Sequence, residues 1–376
     1  MLADPLRTSA IPQAIPDVYL DAEHIAAAQR VLERVVGLEN TRLAFVSGSL
    51  AAGLGHGMSD IDVYVSAEPG VDVHERSYRE NRWEVQINPI SATRLEEMSR
   101  VCAQYAVTTA DRWQADLSDP ELVRAVRYAI GTVLVDRDSG MPSADRARRT
   151  LRQVLITKQA WTLSGLLEDA LGALQVGDGL TAAQASFMAL EEAVQCALIG
   201  AGDLYIGRKF LLRRLARCTP LRRVLPQILD ALGTSVPPAE LPVIEQLVTQ
   251  RSMLCGHLVA HTVIECWEGP GKEFAAAADN SNSDGPTRSP WVVPVRLADS
   301  WGLVAPDTGF STTEGLIRIW RELDGRPVAQ IHRDFERDEF LTDTPTDILD
   351  AAITQLVECG VAAYRGGRIS TQKEGG

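Results

Sequence analysis

Several kinds of residue and pattern are scarce in this chain, and each shortage excludes a class of protein. The six cysteines among its 376 residues are scattered and never form a Cys-x-x-Cys pair, so we interpret them as reduced thiols and expect a cytoplasmic protein. No run of about 18 apolar residues is present, so the sequence predicts no membrane-spanning helix. The opening residues, MLADPLRTSAIPQAIPDVYL, lack the basic start and the apolar core of a signal peptide.

Positive charge is also in short supply. The chain has 37 Lys and Arg residues against 50 Asp and Glu residues, and its net charge is -13. This balance argues against a large basic face for duplex nucleic acid, although it leaves room for a local basic groove. The length favours two or three domains, and 45% apolar residues is typical of a globular protein with a buried core.

The patterning divides the chain into four parts, which together predict an α+β fold. Residues 1–140 mix helical and strand periods and are expected to form a core with a mixed sheet. Residues 141–267 carry broad apolar stripes joined by short loops, which predicts a helical bundle. The stretch 268–290 is rich in Gly, Pro, Ser, Asn and Ala and is expected to be a flexible linker. Residues 291–376 predict strands followed by three helices, as in a small winged-helix-like domain.

The stretch FVSGSLAAGLGHGMSDIDVYV, residues 45–65, carries the candidate chemistry. It predicts two strands, and Asp60 and Asp62 lie at the start of the second. Residues two apart on a strand face the same side, so the two carboxylates project together. Like charges repel and buried carboxylates are costly without a partner, so the pair predicts a divalent metal site. The alternative is that the two aspartates belong only to a turn and a strand edge.

A phosphate-binding turn is predicted just before this pair. Gly48 and Ser49 end the first strand, and SLAAGL can begin a helix whose first N–H groups would face a phosphate. On a hairpin partner strand, RWEVQIN, Glu84 shares a side with Gln86 and can add a third carboxylate. Three carboxylates near such a turn are what two-metal phosphoryl transfer needs, with the metal ions roughly 3.5–4 Å apart.

This arrangement resembles the DNA polymerase β-like nucleotidyltransferase superfamily, whose signature is a strand ending in Gly-Ser or Gly-Gly, a short spacer and Asp-x-Asp among apolar residues. Here VSGS, LAAGLGHGMS and DIDV stand in that order. The resemblance implies Mg²⁺-dependent transfer of a nucleoside monophosphate from a nucleoside triphosphate, with two ions. It implies that Asp60 and Asp62 bind the metal, with Glu84 as the third ligand or the base. Gly48 and Ser49 would contact the triphosphate.

A second basic feature lies in the helical part, in DLYIGRKFLLRRLAR at residues 203–217. It resembles a Tyr…Lys-aromatic stretch in small-molecule nucleotidyltransferases of the aminoglycoside-modifying type. By that resemblance, Lys209 neutralises charge on the triphosphate. The alternative is a solvated basic helix face, because Arg213, Arg214 and Arg217 follow closely.

The last part of the chain resembles PqqD, the peptide chaperone of pyrroloquinoline quinone synthesis, and related precursor-peptide recognition domains. The phrase IWRELDGRPVAQIHRDF carries the resemblance, which extends over about residues 291–365. It implies that a leader peptide adds as a strand to the Trp291–Val304 region and contacts a helix groove. The alternative is a dimerisation or packing module that binds no peptide.

The same part of the chain predicts a capped amphipathic helix. Two strands are expected to precede it, and Ser311 or Thr312 is expected to cap it. Ile317, Trp320 and Leu323 recur at helical spacing and are expected to form its buried stripe.

Three functions remain open on the sequence alone. The leading hypothesis is a nucleotidyltransferase that acts on a peptide or a peptide-carried metabolite in natural-product biosynthesis. A second keeps the chemistry but changes the acceptor to a small molecule such as an aminoglycoside, since an acidic chain attracts a cationic antibiotic. A third is a non-catalytic peptide-binding scaffold. The acceptor, the nucleobase and the oligomeric state are not specified by the sequence.

Overall fold

The computed structural model describes residues 18–234, 240–271, 273–277, 284–336 and 338–364. Predictions made for the N-terminal segment 1–17, for 272 and 278–283 of the linker and for 365–376 lie outside the described residues. Within them the chain is α+β, as the sequence predicts, with helices and both parallel and antiparallel strand pairs. No described helix is both long and apolar enough to cross a membrane.

The helices and strands follow one another in a mixed order. The first half contains α1 Ala22–Val35, β1 Thr41–Ser47, β2 Ile61–Ala67, β3 Arg76–Glu80, β4 Trp83–Pro89, α2 Ala92–Ala103, α3 Asp119–Ile130, β5 Thr132–Asp136 and α4 Ala144–Gln175. The second half contains α5 Gly179–Gly200, α6 Leu211–Arg217, α7 Leu225–Gly233, α8 Leu241–Glu265, β6 Pro286–Arg288, β7 Val293–Arg296, β8 Trp301–Ala305, β9 Thr308–Thr312, α9 Glu314–Glu322, α10 Val328–Phe335, α11 Thr346–Glu358 and β10 Ala362–Tyr364.

Contacts group the described residues into two compact units. Unit 1 takes its residues from Met1–Tyr105, Asp116–Val154 and Asp203–Arg217, and unit 2 takes the rest. The basic segment Asp203–Arg217 thus belongs with the mixed sheet, although helices α4 and α5 separate the two in sequence. The four-part division made from the sequence stays a prediction about domains.

Unit 1 is built on a five-stranded sheet in the order β3-β4-β2-β1-β5. Strand β2 is central; it runs antiparallel to β1 and parallel to β4. One side of the sheet packs against α1, which Asp21 caps by accepting hydrogen bonds from the first N–H groups. The strands supply alternate apolar residues to this core, namely Ala44, Val46, Ile61, Val63, Val65, Val85 and Ile87. Residues between them, including Asp62, therefore face the opposite side.

Unit 2 combines paired helices with two small sheets. Helix α5 packs on α8, and β7, β8 and β9 form a three-stranded antiparallel sheet. Two details differ from the sequence predictions for this part. Within residues 291–376, three strands precede α9 rather than two, because Thr308–Thr312 pairs with β8. The cap is Thr313 rather than Ser311 or Thr312, because its side chain accepts the Leu316 N–H while the two earlier residues lie in β9.

The predicted buried stripe of α9 is confirmed. Ile317, Trp320 and Leu323 have no exposed surface. They form one core with residues of α8, α10 and α11. Within the stretch predicted as a flexible linker, Phe274 is buried and Pro286–Arg288 pairs with β10, so these described residues are packed.

Replacing Trp320 with phenylalanine tests this core. The indole N–H donates to the Val361 carbonyl oxygen at 2.9 Å, and phenylalanine removes this donor and part of the buried ring. We expect Trp320→Phe to lower the free energy of unfolding by about 1–3 kcal/mol, measured by urea unfolding. The matched change Trp301→Phe, at a half-buried position, should cost less. Equal losses would contradict the packing of Trp320.

Candidate functional site

The two aspartates lie at the start of the central strand. Asp60 is exposed and immediately precedes β2, whereas Asp62 is half-buried within it. Asp62 pairs with Ser47 of β1 on one side and with Gln86 of β4 on the other. Residues paired across strands share a face of the sheet, so these three side chains lie on the face away from α1.

The backbone of Gly48 lies close to the Asp62 carboxylate. Its φ of +97° lies in the region that favours glycine, and a Cβ at this position would lie 2.2 Å from Asp62 Oδ2. Any residue type other than glycine at position 48 would place its Cβ against the Asp62 carboxylate. The glycine of the Gly-Ser pair is therefore explained by a close approach within the site itself.

The turn after Gly48 is shorter than the helix that the sequence predicts. The Ala52 N–H donates to the Gly48 carbonyl oxygen at 3.2 Å, which closes a single helical turn. Gly53, with a φ of +67°, ends it. Among the described residues, the N–H groups of Ser49 and Leu50 donate to no backbone oxygen. The N–H groups of Ser49 and Leu50 are therefore available to an anion, as they would be at the start of a helix.

Glu84, the third predicted carboxylate, does not form a three-carboxylate group with Asp60 and Asp62 among the described residues. The hairpin partner of β4 is β3, and β4 joins β2 in parallel rather than as its hairpin partner. Glu84 is exposed, and it is Gln86 that pairs with Asp62. The described residues contain no group of three or more His, Cys, Asp or Glu side chains arranged to hold a metal ion. The role of Glu84 stays a prediction.

Burial and charge both act on Asp62. The pKa of Asp62 is raised to about 6, chiefly by burial and further by the neighbouring Asp60 charge, while the Arg127 charge opposes both. The pKa of the Tyr64 hydroxyl is also raised, chiefly by burial. A cation beside the two aspartates would relieve their repulsion. Their hard carboxylate oxygens are ligands that Mg²⁺ prefers, and no side chain at Gly48 fills the space beside Oδ2. The aspartate pair therefore fits Mg²⁺.

Arg127 is a part of this site that the sequence analysis missed, and it contacts Tyr205, the tyrosine of the stretch that carries Lys209. The Ser47 hydroxyl donates to the Arg127 carbonyl oxygen at 2.7 Å, and the Arg127 guanidinium lies 5.0 Å from the centre of the Tyr205 ring. One signal was available. Arg127 stands in AVRYAI, beside the apolar stripe of an amphipathic helix, where an unpaired arginine is unusual.

Two arginines of Asp203–Arg217 contact the loop after β1 and a third is buried, so these three do not form the solvated face of the alternative. Arg213 donates to the Leu54 carbonyl oxygen at 3.1 Å, and Arg217 donates to the Gly53 carbonyl oxygen at 3.2 Å. The Arg214 side chain is fully buried and pairs with Asp203 at 3.2 Å. These contacts join residues far apart in sequence.

Lys209 is placed differently from these arginines. It is exposed, on a short 3-10 turn, Arg208–Phe210, that precedes α6. Its ammonium nitrogen lies 5.0 Å from the centre of the Phe210 ring. Its predicted contact with a triphosphate stays a prediction.

Comparison with known proteins adds little to this description. No protein-family model matches the chain, and no curated protein matches it. Solved structures that match include the crystal structure of a nucleotidyltransferase-like protein from Exiguobacterium sibiricum 255-15. The two chains are 14% identical, with 64% of this chain and 79% of that chain covered and a TM-score of 0.33. At this identity and TM-score the similarity defines neither the fold nor the function of this chain.

Replacing Gly48 with alanine tests the close approach to Asp62. We expect Gly48→Ala to lower the free energy of unfolding by about 1–3 kcal/mol, because the positive φ is strained for alanine and the Cβ meets Asp62 Oδ2. Gly57→Ala is the matched control in the same loop, since a Cβ there meets nothing within 4 Å. Urea unfolding measures both variants. An alanine as well tolerated at 48 as at 57 would contradict the geometry.

Replacing Asp62 with asparagine tests its environment through pH. A carboxyl whose folded pKa is about 6 against an ordinary 3.8 makes folding less favourable as pH rises between these values. Without divalent cations, we expect Asp62→Asn to raise the free energy of unfolding by about 1–3 kcal/mol at about pH 7.5, with much less gain at about pH 4. Urea unfolding at both pH values measures this. A pH-independent gain for Asp62→Asn would contradict the shift.

Proposed function

We propose that this chain is a nucleotidyltransferase that uses Mg²⁺ and transfers a nucleoside monophosphate from a nucleoside triphosphate to an acceptor. The observation that carries the proposal is the fit between Gly48 and Asp62. The strand end has no side chain where the Asp62 carboxylate lies, and Asp60 adds a second carboxylate two residues earlier. The resemblance of VSGS and DIDV to the DNA polymerase β-like superfamily supports the same chemistry.

In this proposal, Asp60 and Asp62 hold two Mg²⁺ ions, with Glu84 as the third ligand or the general base. When bound, these ions neutralise phosphate charge and lower the pKa of the attacking group. The free N–H groups of Ser49 and Leu50 bind the triphosphate at the turn. Lys209 neutralises part of the negative charge on the triphosphate. The protein thus contributes mainly orientation and charge neutralisation.

The backbone contacts from Asp203–Arg217 serve this binding step. Arg213 and Arg217 occupy three carbonyl oxygens of the loop, at Gly53, Leu54 and Gly55, and so hold the turn in one conformation. A turn that is already ordered loses less entropy when it binds a triphosphate. The arginines would act by positioning the turn, without contacting the nucleotide.

For the acceptor we propose a peptide or a peptide-carried metabolite, as in natural-product biosynthesis. The PqqD-like phrase in IWRELDGRPVAQIHRDF supports this proposal. Strand addition would have to use an outer strand of the β7-β8-β9 sheet, because β8 already has two partners. In the Trp291–Val304 region this leaves only β7. Strand β9, whose residues are largely exposed, offers the other edge.

Calorimetric titration with ATP, GTP, CTP and UTP, each with and without Mg²⁺, tests the function. We expect the wild type to bind at least one of them only with Mg²⁺. Asp60→Asn and Asp62→Asn should lose this binding, because each removes a carboxylate ligand. Asp72→Asn is the matched control on an exposed loop of unit 1 and should bind like the wild type.

The outcomes separate the three candidate functions. Mg²⁺-dependent binding that both aspartate variants lose supports a nucleotidyltransferase and identifies the donor. Incubation of that donor with peptides or with aminoglycosides then distinguishes the acceptors, by the added mass of a nucleoside monophosphate. No binding by the wild type to any triphosphate would refute the transferase and favour a peptide-binding scaffold.

A further inference from the structure

The last turn of α3 has a fixed position against the end of β1. The Ser47 hydroxyl donates to the Arg127 carbonyl oxygen at 2.7 Å. Gly131 follows the helix, and a Cβ there would lie 2.8 Å from the Val46 carbonyl oxygen. No side chain fits between the helix end and the strand. The backbone of Arg127 is therefore held beside the residue that precedes Gly48.

The Arg127 side chain has an unsatisfied hydrogen-bond donor. Its Nη1 is buried and makes no hydrogen bond among the described residues. Its guanidinium packs over the Tyr205 ring, and its charge acts on both Asp62 and Tyr64. Native proteins satisfy almost all buried donors, so an unsatisfied guanidinium nitrogen on the face that carries Asp62 calls for a partner.

We propose that Arg127 binds an anionic oxygen of the triphosphate through its guanidinium. The planar fork of donors in arginine matches phosphate oxygens and forms strong charge-assisted hydrogen bonds. The unpaired N–H groups of Ser49 and Leu50 lie on the turn that begins two residues after Ser47, to which Arg127 is fixed. The hydrogen bond from Ser47 thus joins the strand that ends at these donors to the helix that carries Arg127, and the guanidinium charge acts on Asp62 of the same sheet. This inference rests on the proposed function, since it needs a nucleotide beside Asp62.

Calorimetry with two kinds of probe and three variants tests this assignment on the full chain. The probes are inorganic tripolyphosphate and the four nucleoside triphosphates, each with Mg²⁺. We expect Arg127→Met to raise the dissociation constant for tripolyphosphate and for the bound nucleotide by about 10- to 100-fold. Arg127→Lys, which keeps the charge, should lose less. Arg124→Met, one turn earlier on α3, is the matched control and should bind like the wild type.

Thermal unfolding separates binding from a structural role. Removing an unsatisfied buried donor should leave the melting temperature of the free Arg127→Met protein unchanged or higher, whereas removing a residue that stabilises the fold would lower it. If Arg127→Met has a lower melting temperature than the wild type, the affinity of Arg127→Lys for tripolyphosphate distinguishes binding from a structural role. A folded lysine variant that binds more tightly than the methionine variant supports the inference, and one that binds as weakly overturns it.

The remaining outcomes also distinguish this inference from the proposed function. Wild-type affinity of Arg127→Met for tripolyphosphate overturns the inference. If Asp62→Asn loses nucleotide binding in the same series, the proposed function still stands. A loss confined to the nucleoside triphosphates overturns the phosphate assignment. Absence of all triphosphate and tripolyphosphate binding by the wild type overturns both proposals.

Discussion

The half-buried carboxylate of Asp62 is the constraint on which the rest of unit 1 depends. It lies in the central strand of the sheet, where burial and the neighbouring Asp60 both disfavour its charged form. A hydrophobic residue at this position would fit the strand at no such cost. The surroundings are arranged around the carboxylate instead, with a glycine at its side and an arginine charge within range.

The groups around this carboxylate come from distant parts of the chain. The turn after β1 contributes Gly48, α3 contributes Arg127, and Asp203–Arg217 contributes Tyr205 and the arginines that hold the turn. Gly48 is fixed by a contact that leaves no room for a Cβ, and Arg127, Arg213 and Arg217 are fixed by hydrogen bonds that carbonyl oxygens accept. Donors fixed in this way need little reorganisation when an anion binds, which is the property expected of a site for phosphoryl transfer.

In unit 2, the charged residues of IWRELDGRPVAQIHRDF, the stretch that carries the PqqD resemblance, form ion pairs within the unit. They contact one another and α8: Arg321 pairs with Glu265 at 2.7 Å and with Glu322 at 2.8 Å, and Arg326 pairs with Glu322 at 2.6 Å. Trp320 is fully buried beneath them. These residues are explained by packing within the unit. A peptide that adds as a strand would meet the exposed edge of the β7-β8-β9 sheet rather than these charged residues.

The sequence by itself determined the local features of this protein. Alternation in FVSGSLAAGLGHGMSDIDVYV determined the two strands and the position of Asp62 within the second, because strand geometry depends only on neighbouring residues. The stripe of Ile317, Trp320 and Leu323 followed in the same way from helical spacing.

Only the tertiary structure decided which distant residues meet. It joined β4 to β2 in parallel, so that Gln86 rather than Glu84 pairs with Asp62. It also placed Arg127 beside the strand end and turned three arginines of a basic stretch toward backbone oxygens and Asp203. Strand order and long-range contacts depend on how whole elements pack, and no short stretch of sequence contains that information.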